Sequence, residues 1–130
     1  IALAGWIGLL LGAWTLPYAL PLDRYLLAAG TAWLIFMALG GGAFAISSLC
    51  SRIGLSNGLG TAWTLVAFVL DVIPQVAGSP LAFLNPWHHY FPQDVVAAGS
   101  VAPAGMLVLL AWLVGGIGFA AVAWERRDLA

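Results

Sequence analysis

The chain has 130 residues, 63% of them hydrophobic and only 7% charged, and a formal net charge of −1. A soluble domain carries roughly 25% charged residues, so this much apolar surface requires lipid as its solvent, and the chain reads as an integral membrane protein. Without a basic stripe or an arginine-rich arm it excludes nucleic-acid binding. The single cysteine, Cys50, excludes an internal disulfide, and no Cys/His spacing suits a metal.

Residues 1–20 contain no charge. About twenty helical residues rise roughly 30 Å, the thickness of a bilayer core, so this is a first span. Gly8 and Gly12 offer a surface that another helix can approach closely, although glycine is also common in membrane helices. The run starts at once with Ile1, without the polar start that a cleaved signal peptide leaves, which points to a retained part of a longer chain. Pro17 and Pro21 are expected to close the helix, and Asp23 and Arg24 to form a short polar turn.

Residues 26–50 form a second span containing Gly40, Gly41 and Gly42. Each glycine weakens a helix by about 1 kcal/mol relative to alanine, so three together imply a packing face or a flexible point. A phosphate cradle is rejected because its lysine is missing. Arg52, Gly54, Ser56 and Asn57 lie in a turn, and a third span covers residues 58–76. Asp71 is the one acid inside that span. An intramembrane carboxylate is a functional hypothesis by default. Its nearness to Pro74 also suits a plainer role, reaching the interface or capping a helix that starts there.

Residues 78–93 break the pattern. Leu84 to Asp94 reads Leu-Asn-Pro-Trp-His-His-Tyr-Phe-Pro-Gln-Asp and holds both histidines of the chain. Pro86 and Pro92 argue against one continuous helix. Trp, Tyr and His pair an apolar body with a polar tip, as suits a membrane surface. One or two short interfacial or re-entrant helices are expected, since backbone polar groups near lipid must be satisfied. A fourth span follows at residues 100–124, with Pro103 in its first turn and Gly115, Gly116 and Gly118 inside it. The fold class is therefore all-α, with four transmembrane helices and a short helical hairpin between the third and fourth.

Four spans put Arg52, Arg126 and Arg127 on one side and Arg24 on the other. The positive-inside rule then places the C-terminus in the cytoplasm of a plasma (inner) membrane, with the hairpin outside. The residues that bear on a substrate pathway or an interface are Asp71, Asn85, Pro86, Trp87, His88, His89 and Tyr90. Adjacent histidines point about 100° apart on a helix, so one metal would not easily take both. A proton relay from Asp71 to the histidines stands beside the plainer reading of amphipathic anchors. No nucleophile pattern is present, and the chain is not read as an enzyme.

Asn85-Pro86-Trp87-His88-His89-Tyr90 before the last span, Arg126-Arg127-Asp128-Leu129 at the end, and a small-residue span followed by Arg52 together resemble the permease subunits of ATP-binding-cassette exporters of the type-2 membrane-domain family. The resemblance runs along essentially the whole chain. It implies the last four helices of a six-helix permease half, with residues 78–93 as its re-entrant external helices. It also implies a second permease half, the same or a homologous chain, and separate ATP-binding subunits that hold ATP and magnesium. No cofactor would be bound by this chain. The first two helices and the cytoplasmic coupling segment of such a half are not in this sequence. The other reading is an accessory subunit of a large respiratory, photosynthetic or secretion complex, holding it together by helix packing.

Overall fold

The computed structural model describes residues 2–15 and 20–128. Every element in it is helical. α1 spans Ala2–Thr15, α2 Leu22–Ser48, α3 Ile53–Val72, α4 Pro74–Ala77, α5 Pro92–Ala98 and α6 Pro103–Asp128, and two 3₁₀ helices, η1 (Pro80–Leu84) and η2 (Pro86–His89), lie between α4 and α5.

Proline sets the joints. α4, η1, η2, α5 and α6 each begin on a proline, where the missing N–H is one the helix start would leave unpaired anyway. The residue before proline is pushed out of the helical region, and Ile73, Ser79 and Asn85 are all extended. The segment expected to be one hairpin is thus a staircase of short helices. α5 was not anticipated.

α2, α3 and α6 are long and apolar enough to cross a membrane. Their ends differ from the expected spans. Asp23 and Arg24 sit in the first turn of α2 rather than in a loop. α3 already begins at Ile53, so the polar turn around Arg52 is shorter than the sequence suggested. α6 continues through Glu125 and Arg126. Of the expected first span, α1 accounts for 14 residues, a rise of about 21 Å. Residues 16–19, and with them Pro17, lie outside the described residues.

α2 is the central helix. Eight of its residues are buried, among them Ala28, Thr31, Ile35 and Ala38, whereas only Ala67 is buried on α3. Small residues let the backbones meet. A Cβ on Gly41 would lie 2.6 Å from the Trp112 carbonyl oxygen, and one on Gly116 would fall on the Gly41 carbonyl. Gly42 is covered instead by the Trp63 indole, whose ring stacks at 4.7 Å on Trp112. The glycine triplet is thus a packing face split between two neighbours. A side chain on Gly40, Gly115 or Gly118 would meet nothing within 4 Å, and neither would one on Gly8 or Gly12 of α1.

Candidate functional site

The hairpin is held by side-chain donors that bond to helix backbone. Asn85 donates from Nδ2 to the Ala67 carbonyl at 2.7 Å. Its Oδ1 accepts the Trp87 N–H at 3.1 Å and so caps η2. The Trp87 indole donates to the Thr64 carbonyl at 3.3 Å, and the Trp112 indole of α6 donates to the Leu84 carbonyl at 2.7 Å. On α3 these hydrogen bonds reach Thr64, Ala67 and, through His88, Asp71. Their spacing of three and four puts them on one stripe of the helix. On α6 the buried positions Gly105, Leu109, Gly116 and Ala120 make the matching stripe.

These contacts tie the hairpin to α3 and α6. Thr64 lies eight residues before the end of α3, and Trp112 nine residues after the start of α6. At 1.5 Å per residue these two backbone positions are about 12 to 14 Å from the helix ends, and the indole side chains of Trp87 and Trp112 span part of that distance. Pro86 is fully buried, and Trp87 and Tyr90 pack against the cluster of Ile35, Ala38, Leu39 and Leu109. These two aromatics belong to the core of the bundle and are not free surface anchors. Phe83, Leu84 and Phe91 stay exposed, as expected of residues facing lipid or a partner.

The two histidine rings meet edge to face, with centroids 5.7 Å apart, and take different hydrogen-bond partners. His88 Nδ1 lies 3.2 Å from Asp71 Oδ1, with both side chains partly exposed. A carboxylate oxygen accepts, so Nδ1–H donates. His89 Nε2 lies 2.8 Å from the Phe83 carbonyl. That carbonyl fixes the proton on Nε2 and leaves Nδ1 as the acceptor, packed over Gly105. Asp71 therefore orients His88 across 17 residues of chain. Among the described residues no group of three or more His, Cys, Asp or Glu side chains is placed to hold a metal ion.

Arg24 was expected in a short polar turn and as a topology marker. Its Nη1 donates to the carbonyls of Val96 and Ala97, at 3.2 and 3.0 Å, and so closes the C-terminal end of α5. Gly99 follows with φ +66°, the left-handed turn that ends this helix. At the opposite end of the bundle Ser48, Leu49, Phe119 and Arg126 line a second hollow. Arg126 and the α2–α3 turn carrying Arg52 therefore share one end, and Arg24, Asp71 and the hairpin share the other.

Between α5, the start of α6 and the hairpin lies a cleft of about 630 Å³, lined by Phe83, His88, His89, Asp94, Met106 and Leu109 among others. No family model matches the chain, and comparisons with curated proteins and with solved structures return no match. Taken alone, the fold defines an all-helical protein with three helices long and apolar enough to cross a membrane, and a short helical segment hydrogen-bonded to them.

Proposed function

We propose that the chain is a membrane-spanning permease component of an ATP-driven exporter, with α1 as a fourth span beside α2, α3 and α6. The hairpin is then a re-entrant element at the outer face, and Arg52, Arg126 and Arg127 mark the cytoplasmic side of a plasma membrane. The carrying observation is the docking of Asn85 to Tyr90 into the bundle through Ala67, Thr64 and the core cluster. In this reading the docked hairpin is a fixed outer cover beside helices that move against a second half. A partner ATPase would bind ATP and magnesium and supply the drive, while this chain supplies the wall of the pathway and no catalytic group. Apolar helix faces suit lipids, hydrophobic drugs or peptides as cargo.

A scaffold role in a larger membrane complex has one observation in its favour. α3 leaves Leu55, Leu65, Val66 and Val69 exposed, a long apolar face for a neighbouring helix or for lipid. Isolation from native membranes in mild detergent, with mass spectrometry of every co-purifying chain and of the native N-terminus, separates the two. A stoichiometric Walker-motif ATPase and upstream peptides support the exporter. An energy-converting complex without an ATPase rejects it.

A further inference from the structure

Near the C-terminal end of α6, Phe119, Val122, Ala123 and Arg126 share one face of the helix, at positions i, i+3, i+4 and i+7. That face and the end of α2, at Ser48 and Leu49, border a hollow of about 490 Å³. Along α6 its wall is apolar for two turns, about 10 Å, and ends on a guanidinium. Phe119 and Val122 are half exposed and Leu49 more so, so the chain's own side chains leave the wall open. The other polar side chain of the lining, Ser48, is buried and gives its hydroxyl hydrogen to the Ala45 carbonyl at 2.7 Å.

Arg126 is not needed to finish a helix. The last carbonyls of α2 are already taken: Ala45 by Ser48, Ile46 by the Leu49 N–H and Ser47 by the Cys50 N–H. Among the described residues Arg126 has no hydrogen-bond or ion-pair partner. Glu125 is its neighbour in sequence, but sits about 100° round the helix and does not line the hollow. The other end of the bundle has the opposite character. There Arg24 is spent on the Val96 and Ala97 carbonyls, and Asp94 lines the cleft. Depth fits as well. Trp124, two residues before Arg126, is 61% exposed, and an exposed tryptophan at the end of an apolar helix belongs at the headgroup level.

We propose that this hollow holds an anionic phospholipid, with its phosphate on the Arg126 guanidinium and an acyl chain along Phe119 and Val122. A guanidinium matches phosphate in charge and in hydrogen-bond geometry, and the apolar wall runs from it towards the hydrocarbon core. Basic hollows between membrane helices take lipid headgroups in this way. The lining comes from α2 and α6 of this chain, so the site is the same in an exporter and in a scaffold.

The test is native mass spectrometry of the protein from mild detergent, titrated with phosphatidylglycerol or with phosphatidylcholine of the same acyl chains. One saturable phosphatidylglycerol is expected, bound about fivefold more tightly than phosphatidylcholine, the effect of one arginine near the headgroups. Arg126→Gln should abolish that preference. Gln93→Glu changes the net charge equally at the other end and should leave it intact. Glycerol phosphate, a headgroup without chains, should not displace the lipid. The proposal is overturned by equal binding of the two lipids, by a preference that survives in Arg126→Gln, or by an equal loss in Gln93→Glu, which would make the effect one of net charge. Displacement by glycerol phosphate would also overturn it, leaving a site for the anion alone. If Arg126→Gln does not fold, a photoactivatable phosphatidylglycerol on the unaltered protein decides: crosslinks should fall on residues 119–126, and crosslinks confined to other segments reject the site.

Discussion

At Gly41 and Gly116 one helix backbone rests on the other. A methyl group at residue 116 has no flexible side chain to push aside, only the Gly41 carbonyl. Gly116→Ala should therefore destabilise the protein by about 1–3 kcal/mol, the usual cost of overpacking. Gly115→Ala, one residue away and facing open space, should be neutral or slightly stabilising, since alanine is the better helix former. Thermal unfolding of both variants in detergent reads the difference, and an equal response from the two would contradict the contact. The packing role of the glycine runs was legible in the sequence, because so many glycines in one helix need a reason. Which of them pack was not. Gly40, Gly41 and Gly42 point in three directions, and only the positions of α3 and α6 decide among them.

The hairpin is the element on which most of the site depends. Asn85 serves two directions at once, as donor to α3 and as acceptor for the start of η2. Asn85→Ala leaves the Trp87 N–H unpaired in a crowded place, at a cost of about 1–2 kcal/mol. It should also speed hydrogen exchange across 85–90, whereas truncation of the exposed Leu81 should change little. Exchange rates that stay the same in Asn85→Ala would mean that the hairpin is held by packing alone. The existence of a non-spanning helical segment here was readable from its prolines and aromatics. Its anchoring was not, because the acceptors are backbone carbonyls of Thr64 and Ala67, which carry no sequence signal. The pairing of Asp71 with His88 was open among several readings. It depends on how η2 descends beside α3, a tertiary fact. Arg24 is a similar case: a charge next to Asp23 looked like a turn, yet α2 starts earlier and sends it across to α5.

At the scale of the whole molecule, α2 packs against both α6 and α3, and the charges divide between two ends. Composition was enough to place the chain in lipid and to find three long helices. The first span could not be settled in the same way. On α1, a Cβ at Gly5, Gly8 or Gly12 would meet nothing within 4 Å among the described residues. The number of crossings is where the account is most exposed, because a permease half of the proposed kind needs residue 1 and the C-terminal end on the same side. The direct measurement starts from a protein in which Cys50→Ala removes the native thiol. Single cysteines are then placed by Ile1→Cys, Asp23→Cys, Gln93→Cys and Arg126→Cys and exposed to a membrane-impermeant maleimide on intact cells. The account predicts labelling at 23 and 93 from outside, and at 1 and 126 only after permeabilisation. Labelling of residue 1 together with 93, while 126 stays protected, would leave three crossings and contradict it.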